Sequence, residues 1–150
     1  MDENPGWSVE GLWAFGPPQG GGSSNGNPTA SYTGANIYGY NLSGDYENDL
    51  PARALKTTAL DFSQASSVEL RFMRWLGVEA GQYDSATVQV SNDGVQWHTL
   101  WSNAGMGDIK DTAWVECRYD MSDVADGHAQ VYVRWVMGPT DYSITFPGWN

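Results

Sequence analysis

The sequence predicts an all-β fold, an antiparallel β-sandwich, and three observations indicate it. No segment sustains the spacing of apolar residues that an amphipathic helix requires. Short runs instead alternate between apolar and polar residues, as expected of strands with one buried face and one solvated face. The chain contains 18 glycines and 7 prolines, and these separate the runs where turns are expected. Roughly seven to nine strands at this spacing are typical of a sandwich.

The predicted strands follow one another along the chain. Residues 92–94, Asn-Asp-Gly, are a hairpin signal between two of them. Val95, Trp97, Thr99 and Trp101 are expected to share one face of the strand after that turn. The predicted strands cover residues 36–42, 68–73, 85–91, 95–101, 114–119 and 131–137.

Two stretches are predicted as loops within one domain. Residues 16–28 are rich in Gly, Pro, Ser and Asn, and residues 41–51 form an acidic loop. Aromatic, strand-forming sequence lies on both sides of residues 16–28, which favours a flexible loop over an interdomain linker. The 150 residues therefore form a single module, residues 1–150, as expected for this length. The abrupt ending at residues 147–150, Pro-Gly-Trp-Asn, indicates a module cut out of a larger protein.

Composition and charge exclude several classes of protein. Seven scattered basic residues against 18 acidic ones give a net charge of −11, which argues against nucleic acid and anionic membranes as partners. No apolar run approaches the ~18 residues of a spanning helix, and the first residues do not resemble a signal peptide. The single cysteine, Cys117, excludes an internal disulfide framework and a cysteine-based metal cluster. We interpret it as a small buried residue in a strand.

The sequence does not favour an enzyme. Residues 22–26, Gly-Ser-Ser-Asn-Gly, match the G-x-S-x-G nucleophile pattern but lie in a Gly/Ser-rich stretch without a following helix. His98 and His128 belong to no zinc motif and have no triad context. Eighteen acidic residues supply many accidental carboxylate pairs, so none indicates glycoside hydrolysis.

The acidic loop is the best metal candidate from residue types alone. Asp45, Glu47 and Asp49 offer carboxylate oxygens at alternating positions, which suits a hard cation such as Ca²⁺. The loop is not an EF-hand, because Leu50 and Lys56 occupy the positions of the required Gly and Glu. A solvated acidic loop without a metal is the alternative interpretation.

The aromatic residues are the main candidates for ligand binding. Eight tryptophans and an aromatic content of 13% exceed what a core of this size usually requires. Trp75 and Trp135 lie in apolar runs and are predicted to be core residues. Exposed indole and phenol rings can stack on sugar rings, although packing is the alternative for every one of them. The predicted ligand-binding residues are Trp7, Tyr83, Trp101, Trp114, Tyr142 and Trp149.

Several ordered blocks resemble a known module. They are Trp7-x-x-Glu-Gly-x-Trp13-Ala-Phe-Gly16, Tyr32-Thr-Gly34 followed by Tyr38-Gly-Tyr-Asn-Leu-Ser-Gly-Asp-Tyr46, Leu70-Arg-Phe-Met-Arg-Trp-Leu76, Tyr83-Asp-Ser-Ala-Thr-Val-Gln-Val-Ser-Asn-Asp-Gly94, Val133-Arg-Trp-Val-Met-Gly-Pro-Thr-Asp141 and Gly148-Trp-Asn150. Together they resemble the MAM-like jelly-roll module of secreted bacterial proteins. Such modules accompany peptidases of the immune inhibitor A type and large surface or polysaccharide-active proteins.

The resemblance implies a non-catalytic, extracellular jelly roll, a monomer covalently fused to neighbouring domains. Such modules serve in adhesion, in glycan recognition or in stabilising an attached enzyme domain. The resemblance also implies a structural Ca²⁺ site, whose ligands would include Asp45 and Asp2 or Glu3. The acidic pair that follows the final Gly-Trp-Asn in the family is not part of this sequence.

Two functions follow as hypotheses. The first is a carbohydrate-binding module that recognises a polysaccharide or surface glycan through its aromatic residues. The alternative is an accessory or adhesion domain of an extracellular peptidase that contacts protein. Nucleic-acid binding and membrane insertion are not expected of either.

Overall fold

The computed structural model describes residues 1–24 and 26–150, which contain twelve strands and one short helix. None of the helices found there has the length and apolar character needed to cross a membrane. The elements are β1 (Ser8–Val9), β2 (Trp13–Gly16), β3 (Ile37–Tyr40), β4 (Arg53–Lys56), β5 (Glu69–Arg74), β6 (Leu76–Val78), β7 (Ala86–Ser91), β8 (His98–Ser102), β9 (Ile109–Lys110), β10 (Val115–Asp120), α1 (Ser122–Ala125), β11 (Tyr132–Met137) and β12 (Gly148–Trp149).

The strands form four antiparallel sheets. The largest has the order β1-β4-β11-β7-β8, and the smaller sheets are β10-β5, β12-β6-β9 and β2-β3. The predicted all-β antiparallel sandwich is therefore confirmed. The strands are more numerous than predicted, because β1, β2, β4, β9 and β12 lie outside the predicted runs. In addition, Trp75 separates β5 from β6 and pairs through its backbone with Asn150.

One hydrophobic core lies between the five-stranded sheet and the smaller sheets. Ala86, Val88 and Val90 of β7 are fully buried, in agreement with the alternation of the sequence. Val133 of β11 joins them in the core, and Leu76 contributes from the opposite layer. Cys117 is also buried, as expected.

The segment between β7 and β8 corrects one prediction. Residues 92–97 form a wide turn, because the Asp93 carboxylate accepts hydrogen bonds from the backbone N–H groups of Val95 and Gln96. The strand consequently begins at His98. A register shift opposite Val88 and Gln89 then places an extra residue in β8, so the predicted common face from Val95 to Trp101 does not form.

The predicted flexible loop at residues 16–28 is fastened to the acidic loop. The Asn27 side chain is buried and donates to the backbone oxygens of Asn41 and Gly44, while its own amide oxygen accepts from Asn150. Asn25, the fourth residue of the G-x-S-x-G match, lies outside the described residues. Ser23, which precedes the nucleophile position Ser24, donates its hydroxyl hydrogen bond to the backbone oxygen of Thr145.

Candidate functional site

A cleft of about 410 Å³ lies between the β3 side of the molecule and β5; we call it the β3–β5 cleft. Four consecutive residues of β5, numbers 70–73, line it. Since alternate side chains of a strand point to opposite faces, a run of four indicates that the cleft follows the edge of β5. The other edge of β5 pairs with β10, and no further strand of residues 1–24 and 26–150 pairs with β5. The remaining lining residues are Met1, Trp7, Trp13, Tyr32, Thr33, Asn36, Ile37, Tyr38, Leu55, Trp114, Trp135, Trp149 and Asn150.

Two aromatic residues of the β3–β5 cleft are accessible to a ligand. Tyr32 is 59% exposed. Trp114 is half-buried, its indole N–H donates to the backbone oxygen of Ala30 at 3.1 Å, and its ring meets Trp75 edge-on at 5.9 Å. These contacts fix the Trp114 ring while leaving part of it open, as a stacking platform requires. The sequence predicted Trp114 but missed Tyr32.

Three other predicted ligand residues serve mainly to pack the protein. Trp149 is only 2% exposed and donates to the backbone oxygen of Val136, so its predicted role as an exposed ring is corrected. Trp7 stacks on Tyr38 and Trp135, with ring centroids 5.1 and 5.5 Å away, which uses the ring surface a sugar would need. Trp101 meets Trp149 edge-on at 5.5 Å.

Tyr83 and Tyr142 are exposed, as predicted, but neither lines the β3–β5 cleft. They lie in the loop between β6 and β7 and in the segment between β11 and β12. The six predicted ligand residues therefore do not form one surface.

Three of the five acidic residues predicted as metal ligands accept hydrogen bonds within the protein, and the other two are exposed. Asp45 accepts from the Ser23 backbone N–H at 2.7 Å and from the Thr145 hydroxyl at 3.3 Å. Glu47 accepts from the Tyr40 hydroxyl at 3.0 Å. Asp2 accepts from a backbone N–H at 3.3 Å, while Glu3 and Asp49 are exposed. Across the described chain, no three of these five carboxylates converge on a common point.

A different group of acidic residues does converge. Glu79, Asp84 and Asp141, which we call the carboxylate cluster, each offer an oxygen within 4.8 Å of the other two. Glu79 and Asp84 come from the loop between β6 and β7, and Asp141 follows β11. Glu79 and Asp84 are buried, and Asp141 is half-buried.

Burial and mutual repulsion dominate the electrostatics of the carboxylate cluster. Burial raises the pKa of Glu79, and the charges of Asp84, Asp141 and Asp108 raise it further. Burial likewise raises the pKa of Asp84, although a hydrogen bond from the Tyr46 hydroxyl opposes this. Among the described residues, no Lys, Arg or His forms an ion pair with these three carboxylates.

Sequence reasoning missed the carboxylate cluster because its members are far apart in the chain. One local signal was available, since Glu79 directly follows the buried strand Leu76–Val78. An acidic residue directly after a buried strand is expected to be buried as well, and a buried carboxylate is unfavourable unless it has a hydrogen-bond or charged partner. The pairing with Asp141 depends on the tertiary fold.

The histidines occupy unremarkable positions. His98 is exposed at the start of β8, and His128 contacts the backbone oxygen of Asp126 at 2.9 Å.

Comparison with known proteins gives one similar segment. No protein-family model matches the chain. The chain is 27% identical over 147 residues to bacillopeptidase F of Bacillus subtilis (strain 168). The match covers 96% of this chain but only 9% of that peptidase, so the chain corresponds to a small segment of it.

Proposed function

We propose that this chain is a non-catalytic accessory module of an extracellular multidomain protein and that it binds carbohydrate in the β3–β5 cleft. Similarity to 9% of a peptidase supports a segment distinct from the catalytic part of such a protein. A small all-β sandwich is a common scaffold for binding modules, but fold alone does not define function. Support for a particular ligand therefore comes from the residues of the cleft.

The observation that carries the carbohydrate proposal is the pairing of accessible aromatic rings with polar side chains. Tyr32 and Trp114 supply flat apolar surfaces, and Asn36 and Arg71 line the same cleft. Arg71 is mostly exposed and is held by Glu116, so its remaining N–H groups are available to hydroxyl groups. Aromatic surface with a few fixed polar groups is typical of small-ligand sites.

A second candidate ligand is an extended peptide, and the edge of β5 favours it. Within the described residues this edge has no strand partner, and unpaired backbone groups are a template for an added strand. In that case the module would contact protein, and the apolar lining would receive alternate side chains of the peptide.

The test is a titration of the protein with a panel of soluble polysaccharides, followed by tryptophan fluorescence and calorimetry. We expect Tyr32→Ala and Trp114→Ala each to weaken binding about tenfold, which corresponds to ~1.4 kcal/mol. Tyr142→Ala is the matched control, because Tyr142 is a more exposed ring outside the cleft. Melting temperatures verify that each variant is folded.

Two outcomes would contradict the carbohydrate proposal. Saturable binding that Tyr142→Ala abolishes and Tyr32→Ala leaves unchanged would place the sugar elsewhere. The absence of binding to every polysaccharide, together with saturable binding of an extended apolar peptide, would favour strand addition along β5.

A further inference from the structure

We propose that Glu79, Asp84 and Asp141 bind a divalent cation, Ca²⁺, between the β6–β7 loop and the segment that follows β11. The site is independent of the β3–β5 cleft and uses none of the residues that the sequence predicted as metal ligands. Two separate observations support it: the convergence of three carboxylates, and a buried carboxylate oxygen without a partner.

The spacing of the carboxylate oxygens suits a single ion. Oxygen ligands lie about 2.3–2.6 Å from Ca²⁺, so two ligands on opposite sides of the ion are about 5 Å apart. All three oxygens of the carboxylate cluster lie within 4.8 Å of one another, and one ion can therefore contact all of them. Backbone oxygens and water complete the six to eight ligands that Ca²⁺ takes.

The second observation concerns Glu79. Its side chain is buried, with the residue only 7% exposed, and its Oε2 atom has no hydrogen-bond partner. A buried carboxylate oxygen without a partner is strongly unfavourable, and most such atoms in folded proteins are satisfied by a group, a water or an ion. Glu79 is also one of the three residues whose carboxylate oxygens converge. A cation bound in the carboxylate cluster would therefore supply the partner that the Glu79 carboxylate lacks.

Hydrogen bonds from surrounding residues hold the ligands in place before any ion binds. The Asn103 amide donates to the backbone oxygens of Glu79 and Asp84, at 3.3 and 2.8 Å. The Tyr46 hydroxyl donates to Asp84 and accepts from the Glu79 backbone N–H at 3.2 Å. Asp84 Oδ1 also accepts from the Asp141 backbone N–H at 2.9 Å. These contacts link both segments of the site, as second-layer contacts of metal ligands commonly do.

The charge of the site favours a divalent cation over a basic side chain. Three carboxylates converge there, and no ion pair of the described residues involves any of the three, whereas the nearby Asp108 is paired with Lys110 at 3.0 Å. Ca²⁺ fits better than Mg²⁺, because Ca²⁺ accepts six to eight oxygen ligands in flexible geometry, whereas Mg²⁺ demands near-octahedral geometry and gives up its water reluctantly. Protonation of Glu79 is the alternative to a bound cation, because it would also reduce the repulsion among the three carboxylates.

The first measurement uses the whole chain and the metal alone. The melting temperature is compared in Ca²⁺ and in chelator, and we expect Ca²⁺ at a hundredfold excess over its Kd to raise it by about 5–10 °C. Tb³⁺ replaces Ca²⁺ in a parallel titration, because Tyr46 touches the site and can sensitise its luminescence. Ca²⁺ is expected to displace the Tb³⁺ signal.

The variants Glu79→Gln and Asp141→Asn test the ligands. Both are nearly isosteric, and we expect each to weaken Ca²⁺ binding at least tenfold. In chelator, Glu79→Gln should melt at the same temperature as the parent protein or higher, since it removes repulsion. That combination separates a lost ligand from a misfolded protein. Asp45→Asn is the matched control from the acidic loop and should bind Tb³⁺ like the parent.

Three results would overturn the proposal. An unchanged melting temperature with no Tb³⁺ signal in the parent protein would leave a protonated cluster as the explanation. Equal Ca²⁺ affinity in the parent and Glu79→Gln would exclude this ligand set. Loss of binding in Asp45→Asn alone would transfer the cation to the acidic loop.

Discussion

Replacement of Asp111 by alanine is expected to lower the free energy of unfolding by about 3–5 kcal/mol, because it leaves a largely buried guanidinium without its partner. Asp111 accepts two hydrogen bonds from Arg74, at 2.9 and 3.2 Å, in a bidentate pair. The two side chains are only 14% and 11% exposed. Asp111 also accepts a hydrogen bond from the backbone N–H of Leu76, so Asp111→Ala leaves a second donor without its acceptor. Urea unfolding measures the effect.

The control for this prediction is an exposed ion pair in the same sheet. Glu116 contacts Arg71 and Arg118, and the side chains of Arg71 and Glu116 are 60% and 37% exposed. We expect Glu116→Ala to have only a small effect on the free energy of unfolding, well below that of Asp111→Ala. The double variant Arg74→Met/Asp111→Leu should be more stable than Asp111→Ala, because it removes the unpaired charge. Equal losses for Asp111→Ala and Glu116→Ala would show that burial does not govern this pair.

The strands that could be predicted from sequence are those with regular alternation. In β7, burial of Ala86, Val88 and Val90 follows directly from the period of two. β11 and β10 lie within or close to the predicted runs for the same reason. In β7, local periodicity and the tertiary core require the same side chains to be buried, whereas in β10 only Cys117 of the apolar face is buried and Val115 is exposed.

The register of β8 could not be predicted, because it depends on two features outside the alternation. The Asp93 carboxylate organises a wide turn, which delays the start of the strand to His98. The irregular pairing opposite Val88 then changes which residues face the core. Val95 is consequently exposed, although the sequence placed it on a common face with Trp101.

The functional residues were harder to predict because exposure of an aromatic side chain is a tertiary property. Trp149 lies beside the chain's end in sequence, yet it is one of the most buried side chains. Tyr32 follows a Gly- and Pro-rich loop, yet it lines the cleft. Residue types alone indicate that aromatic and acidic side chains are candidates for a functional site. Only the fold decides which of them meet.

Substitution of Gly81 by alanine is the second change for which we expect a large effect. A Cβ atom at this position would clash with the backbone oxygen of Asn103 and would lie 2.9 Å from Cα of Ala104. Both contacts are with backbone, so no side-chain rotation relieves them. We expect Gly81→Ala to lower the free energy of unfolding by about 3 kcal/mol or more. Urea or thermal unfolding measures the effect.

The same substitution should also disturb the carboxylate cluster, because Gly81 lies between Glu79 and Asp84 in the loop that supplies them. To avoid the clash, this loop must move away from Asn103, whose amide holds both backbone oxygens. Gly107→Ala is the matched control, since a Cβ there meets no atom within 4 Å. We expect it to change stability by less than about 0.5 kcal/mol. The prediction would be wrong if Gly81→Ala were as stable as Gly107→Ala and bound Tb³⁺ with the affinity of the parent protein. That result would show that the β6–β7 loop is too flexible to hold the carboxylates in place.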